Sequence, residues 1–383
     1  MPQSFLLQNI NQARSQYFQL ARKLEATSRN NLGVFYRNAG NYSKALEQQQ
    51  LGLKIDQEID PTGGATGLNN VANIAISTGD YPGAIATFEQ SLVISRRNKS
   101  DALTGRTLSN LGLVYAAQGD YARAIATAEE GLKLLRGAND RVGQAIVLDT
   151  LGNHHQQLGD YSQAQDSYNQ ALALHRATGS KSGEANVLEN LAVLSDTKGD
   201  YPTGQQLHAA SLALFRSIGE REKEGGTIAN QARAAEDQGQ YAKALSLYNE
   251  ALTIHRAIGN KDWESTTLSN LGGLHRALGK PTQALDYYSQ ALKIAQTLGD
   301  RATQASILTG LASTHQDLQD YAAAKTALDQ SLHLNRQIGS RRPEIYALRS
   351  LGLLYGKQAQ TPQAIEQLTQ AVANSRSVGL PPE

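Results

Sequence analysis

The chain has no cysteine among its 383 residues. Disulfides, thiolate metal sites and cysteine nucleophiles are excluded, but the redox compartment is not fixed, because a cysteine-free chain works in either kind. Proline is scarce at nine residues, and tryptophan and methionine occur once each. Neither sign of charge dominates: 36 Lys and Arg stand against 35 Asp and Glu, a formal net charge of +1. That balance argues against nucleic acid or an anionic membrane surface as partner. No run of about 18 apolar residues occurs, so nothing in the sequence spans a membrane. The start, MPQSFLLQNINQARSQ, lacks the cationic segment and apolar stretch of a secretory leader. A mature form whose leader had been removed would read the same. The expected location is therefore the cytoplasm by default, with the periplasm open on the second reading.

Catalytic signatures are missing too. There is no G-x-S-x-G, no G-x-x-x-x-G-K-[ST] or G-x-G-x-x-G phosphate loop and no H-E-x-x-H. The eight histidines include no pair three or four apart, the spacing that puts two ligands on one helix face. His154 and His155 are adjacent and so diverge by about 100° around a helix. The reading is non-enzymatic, with no cofactor. A loose carboxylate site for Mn or Ca in the middle of the chain stays open.

What the chain does have is repetition. Tyr42, Tyr81, Tyr121, Tyr161, Tyr201, Tyr241 and Tyr321 recur at a spacing of 39 once and multiples of 40 thereafter, with Pro281 and Thr361 in the same slot. Three residues on stands alanine (Ala45, Ala84, Ala124, Ala164, Ala244, Ala284, Ala324, Ala364), with Gly204 the one exception. Ten residues before each tyrosine slot stands Leu32, Val71, Leu111, Leu151, Leu191, Gln231, Leu271, Leu311 or Leu351, always followed by Gly or Ala. Apolar residues at spacings of three and four make each unit two helices. The first ends at a glycine such as Gly119 or Gly159, suited to a left-handed cap. Asp80, Asp120, Asp160, Asp200 and Asp320 are expected to N-cap the second helix. Ser100, Asp140, Ser180, Asn260, Asp300 and Ser340 are expected to cap the next first helix, after a second helix that closes at glycines from Gly179 to Gly379.

The motif N-L-G-x-x-Y-x-x-x-G-D-Y-x-x-A, nearly intact as NLGLVYAAQGDYARA from Asn110, resembles the tetratricopeptide repeat (TPR) family over residues 22–379. The family's usual period is about 34. The longer unit resembles its kinesin-light-chain-like and G-protein-modulator-like branches. The resemblance implies an all-α, right-handed superhelical solenoid of nine helix-turn-helix repeats. The expected organisation is a leading, capping helix over residues 1–24, one solenoid over 25–379 and a tail, 380–383. The leading helix carries a stripe of Phe5, Leu6, Ile10, Tyr17, Leu20 and Leu24, and is either separate from the first repeat or continuous with it. GLPPE follows directly on the ninth repeat, so an open last repeat could take a partner or self-associate, or a further domain has been removed.

TPR resemblance also implies that the first helices line a concave groove. One column on that face repeats asparagine: Asn31, Asn70, Asn110, Asn190, Asn230 and Asn270. Asparagine is a mediocre helix former, but its amide offers a donor and an acceptor together. Repeats about 10 Å apart match roughly three residues of extended chain. The expected ligand is therefore an extended peptide or protein segment, unless the amides simply bridge neighbouring helices. Asp149, Asn153, Glu189, Asp196, Glu236 and Asp237 make the middle of the groove polar and largely acidic. Arg106 precedes them, Arg233 interrupts them, and Arg276 and Arg349 follow. A ligand with central basic and terminal acidic residues is the match. The sixth repeat, with Gly225, Gly226 and Gln231, reads either as a flexible joint or as simple divergence. His155 reads as a core residue with one hydrogen bond, and His154, in a column otherwise largely apolar, as an anomaly.

The function expected from the resemblance is a non-catalytic adaptor or scaffold. Two narrower readings resemble known groups: a cyanobacterial photosystem II assembly or processing factor that binds a membrane-protein tail, with manganese, and the sensor half of a larger regulatory protein.

Overall fold

The structure, a computed structural model, describes residues 3–60 and 64–377. Gly379 and the tail lie outside these residues, as do the side chains of Phe5, Leu6 and Ile10. Eighteen helices and, among the described residues, no strand follow one another in antiparallel pairs. They are α1 (Gln3–Asn38) with α2 (Tyr42–Ile59), α3 (Ala65–Ser77) with α4 (Tyr81–Arg97), and α5 (Asp101–Ala117) with α6 (Tyr121–Gly137). Next come α7 (Arg141–Leu158) with α8 (Tyr161–Thr178), α9 (Lys181–Thr197) with α10 (Tyr201–Ile218), and α11 (Arg221–Asp237) with α12 (Tyr241–Ala257). The last are α13 (Lys261–Ala277) with α14 (Pro281–Leu298), α15 (Arg301–Asp317) with α16 (Tyr321–Ile338), and α17 (Arg341–Lys357) with α18 (Thr361–Ser377). The leading stripe belongs to α1 itself, which runs unbroken into the first repeat.

Local chemistry sets most of the boundaries. Asp80, Asp120, Asp200 and Asp320 each accept a hydrogen bond from the backbone N–H three residues on, which satisfies a donor that the first helical turn leaves unpaired. Asp140, Ser180, Asn260 and Asp300 do the same for first helices. Asp160, Ser100 and Ser340 hold cap positions without that bond. Ser340 instead donates to the Ala117 carbonyl oxygen at 3.1 Å, far away in sequence.

The small residues are contact points. The repeated alanines of the second helices are completely buried from Ala45 to Ala324. Gly204 breaks that column because a Cβ there would sit 2.0 Å from Asp196 Oδ1. The glycine pair of the sixth repeat lies inside α11, which is continuous. A Cβ at Gly225 would lie 2.5 Å from His255 Cε1, and one at Gly226 3.3 Å from the Trp263 ring. The glycines admit a stacked His255–Trp263 pair with centroids 5.5 Å apart. The glycine pair is thus a point of close packing.

Neighbouring first helices pack on one another, α5 on α7 and α13 on α15 for example, whereas no second helix meets the next as closely. The first helices therefore form the inner layer of a curved coil. After one turn the coil meets itself. Gly40 lies against Lys261 and Leu298, Gly79 against Arg301 and Ile338, and Gly119 against Arg342. Ile338 is 1% exposed and belongs to the same apolar cluster as Tyr81, Ala84 and Phe88. Arg341 N–H donates to the Gln118 carbonyl, and the Arg342 guanidinium stands 5.7 Å from the Tyr121 ring centre. The helix-pair turns of repeats 1–3 thus carry the junctions that follow repeats 6–8.

Candidate functional site

The inner layer brings the central polar residues of repeats 4–6 together, but largely as partners of one another. Asn190 Nδ2 donates to Asp149 Oδ1 at 2.7 Å, and Asn230 Nδ2 donates to Glu189 Oε1 at 2.9 Å. Each asparagine so reaches back to an acid on the preceding first helix, 41 residues earlier. At these two rungs the amide bridges helices, which occupies one of its two N–H donors. Asn70, Asn110 and Asn270 are half-buried and Asn31 is exposed.

Glu189 and Asp196 are not presented to the groove as free charges, contrary to the expectation from sequence. They grip His208 of α10 from both sides: Nδ1 lies 3.0 Å from Glu189 Oε2, and Nε2 lies 2.9 Å from Asp196 Oδ2. His208 is 1% exposed. Burial works against its charge, but hydrogen bonds and attraction from Glu189 and then Asp196 outweigh it and raise its pKa. Burial raises the pKa of Asp196, with His208 and Arg233 opposing. Both ring nitrogens are engaged, so this trio is a charge-assisted network. Among the described residues no group of three or more His, Asp or Glu is arranged to hold a metal ion.

Sequence reading missed His208, though a signal was there. Seven residues after the repeated tyrosine, second helices carry Tyr168, His208, Tyr248 and Tyr288 in consecutive repeats. These side chains pass under the first helix to its polar face. The Tyr168 hydroxyl is 2.8 Å from Asn153 Oδ1 and 3.0 Å from Gln156 Oε1. The Tyr248 hydroxyl donates to Glu236 Oε2 at 3.2 Å. Gly152 makes room for the Tyr168 ring, and Gly272 and Gly310 for that of Tyr288.

The remaining charges are more open. Asp149 has only an amide as direct partner. Burial raises its pKa to about 6, with the Asn190 bond and Lys223 opposing. Burial also raises Glu236, and Asp237 adds to the effect. Asn153, Arg233 and Asp237 are exposed. Arg276 pairs with Asp317 at 2.6 Å, and Arg106 with Asp140 at 2.6 Å. Arg349 is exposed. Apolar residues that sequence reading did not single out also stand exposed on first helices: Leu113, Ile146 and Leu353. Gln231 opens onto a cavity of about 160 Å³ beside His208, lined also by Gln205, Gln238 and Lys243.

His154 and His155 are buried. His155 Nδ1 makes no hydrogen bond among the described residues; an Asp160 carboxylate oxygen is 3.9 Å away. His154 Nε2 is likewise unpaired, and burial lowers the pKa of that residue to about 4. No described helix is long and apolar enough to cross a membrane.

A tetratricopeptide repeat family model matches residues 65–137, 143–217, 226–297 and 303–377, and a second such model matches 26–55. A search among curated proteins finds no match. Among solved structures, a Rap protein complexed with competence and sporulation factor is similar at TM-score 0.60 and 13% identity, over 93% of this chain and 99% of that one. The apo form of RapI is similar at 0.52 and 13%, over 72% and 98%. A signal-transduction ATPase with a tetratricopeptide repeat sensor from Pyrococcus horikoshii is similar at 0.52 and 13%, over 89% and 53%. At these identities the likeness concerns the fold alone.

Proposed function

The chain belongs to the tetratricopeptide repeat family, a generally non-catalytic scaffold consistent with protein–protein interaction, and from that premise we propose that it holds an extended segment of a partner protein against its first helices, with a basic residue of the partner beside Asp149. The observation that carries this reading is the state of Asp149. A half-buried carboxylate whose hydrogen bond comes from a neutral amide, with Lys223 acting only at longer range, favours a cation more than an exposed one does. Glu236 and Asp237 extend the negative region, while Leu113 and Ile146 offer apolar contact. Asn70, Asn110 and Asn270 retain the donor and acceptor that a peptide backbone needs. The likeness to a Rap protein that was solved with its factor supports a bound partner of some kind. A sensor role within a regulatory protein is a second reading, supported by the likeness to the sensor-bearing ATPase.

The test is selection from a randomised peptide pool, followed by fluorescence anisotropy on the selected sequences. Enrichment of Lys or Arg is expected, with binding at least tenfold weaker in Asp149→Asn. Affinity should also fall as pH drops through about 6, where Asp149 gains its proton and loses the charge. Selection without basic enrichment, or affinity indifferent to Asp149→Asn and to Glu236→Gln, would sink the proposal.

A further inference from the structure

One slot on the first helices faces the preceding repeat. Val114, Leu194 and Leu274 hold it and are each 0% exposed. His154 holds it too, 3.7 Å from where a Cβ would stand at Gly112 on the first helix before it. In α1 the slot is taken by Phe35, which is 67% exposed, because among the described residues no helix precedes α1. The apolar line continues along α1. At about 100° per residue, Tyr17 and Leu24 fall within about 20° of Phe35, and they are 74% and 60% exposed. Leu20 and Leu32 flank the line and are exposed as well. In sequence, Leu6 and Ile10 stand on the same line.

α1 is also twice as long as its own repeat needs, at 36 residues against 18 in α2. α2 reaches back along α1 as far as Arg22, which pairs with Glu58 in the last turn of α2. From Arg14 to Ala21 every side chain is exposed. The N-terminal half of α1 thus projects past α2 as an arm, and its C-terminal half is the uncovered end of the coil.

We propose that the arm of one copy covers the uncovered coil end of a second copy, and the reverse, in an antiparallel dimer of α1 helices. The first support is self-complementarity. Reversal about the middle of the 36-residue helix sets position 17 opposite position 24 and position 6 opposite position 35, so apolar residues meet at both. No charged residue lies on the line. The second is area. A strip about 10 Å wide along a helix of about 54 Å gives roughly 500 Å² per copy, and about 1,000 Å² in all is what a specific interface needs. The third is need: the end of a solenoid requires a polar outer face, and this end is apolar. The space is free. The second turn of the coil sits on the Gly40 turn, at the end of α1, and leaves this flank open. In each copy the chain leads from α1 to α3 away from the seam, and the partner sets only one helix beside α1.

Both copies use the same surface, so the contact closes at two. Sedimentation equilibrium on the full chain should fit a monomer–dimer equilibrium with nothing larger. Tyr17→Asp with Leu24→Asp should weaken dimerisation at least tenfold at unchanged helical circular dichroism, since both side chains are exposed in the single chain. Val93→Asp, at an exposed apolar position of α4, should leave dimerisation as in wild type. The register is tested by oxidation, because the chain has no cysteine of its own. A mixture of the Tyr17→Cys and Leu24→Cys variants should cross-link, and neither variant alone should do so comparably, since like positions are about 10 Å apart along the axis. A wild type that stays monomeric would overturn the proposal, and a monomer that sediments with phospholipid vesicles would assign the line to a lipid surface instead. Dimerisation indifferent to the paired Asp substitutions, or like variants that cross-link as well as the mixture, would also overturn it. Peptide binding in the groove does not enter this readout, so the two proposals stand or fall separately.

Discussion

At the scale of single residues, exceptions to the repeat carry most of the information. Gly204 replaces alanine because Asp196 occupies the space that a methyl group needs. Gly204→Ala should therefore push Asp196 off His208 and destabilise the protein by about 2 kcal/mol, as overpacking does, measured by urea unfolding. His154 was legible in sequence as an odd member of a mostly apolar column. The structure supplies the reason it matters: its Nε2 is buried and unpaired. Burial lowers the pKa of His154, and of the fully buried His255, to about 4. The unfolded chain takes up these protons first, at its ordinary pKa of about 6.5. Stability from each is thus complete above pH 6.5 and is lost as pH falls towards 4, by about 3 kcal/mol per histidine at most. His154→Leu, the residue found in equivalent slots at Leu194, Leu274 and Leu354, should remove part of that acid sensitivity. Urea midpoints at pH 7 and pH 5 should converge in the variant; an unaltered gap between them would count against this account.

At the scale of the helix and its turns, sequence reading was strongest, because the determinants are local. Glycine occupies a left-handed turn position between paired helices from Gly40 to Gly279, but Gln319 and Ala359 fill it in the last two repeats at φ of 60° and 57°. A side chain there costs about 1 kcal/mol. Gln319→Gly and Ala359→Gly should each stabilise the protein by about that amount in chemical denaturation. The reverse holds inside α11. Gly225→Ala improves helix propensity by about 1 kcal/mol, yet its methyl group meets the buried His255 ring. Packing should win, and a lower melting temperature is expected. Propensity alone left a flexible joint or simple divergence open here, because the residue that fills the gap lies on α12, outside the window that propensity sees.

At the scale of the whole molecule, the coil differs from a solenoid whose repeats touch only their neighbours. Lys261 lies 221 residues after Gly40, Arg301 222 after Gly79 and Arg342 223 after Gly119. That steady offset is about five and a half repeats, and it ties the first third of the chain to the last third. Leu298→Asp with Ile338→Asp should break the tie without unfolding the repeats. Small-angle scattering should then show a larger radius of gyration at nearly unchanged helical circular dichroism. A radius equal to that of wild type would mean that these contacts do not hold the turns together.

The sequence by itself determined the helices, their pairing and the repeat. Each of these depends on residues within about one period, where apolar spacing, caps and turn glycines act directly. It also identified the polar column of the first helices, since an asparagine recurring at one slot is visible without coordinates. What it did not determine was who partners whom. The bonds from Asn190 to Asp149 and from Asn230 to Glu189 depend on the stagger of successive first helices, and the grip on His208 depends on how far a second-helix side chain reaches through the layer. The closure of the coil is further still from the sequence. It is the sum of small rotations from one repeat to the next, set by packing at every interface and written in no single residue, so only the tertiary structure decides which edges are buried and which stay open.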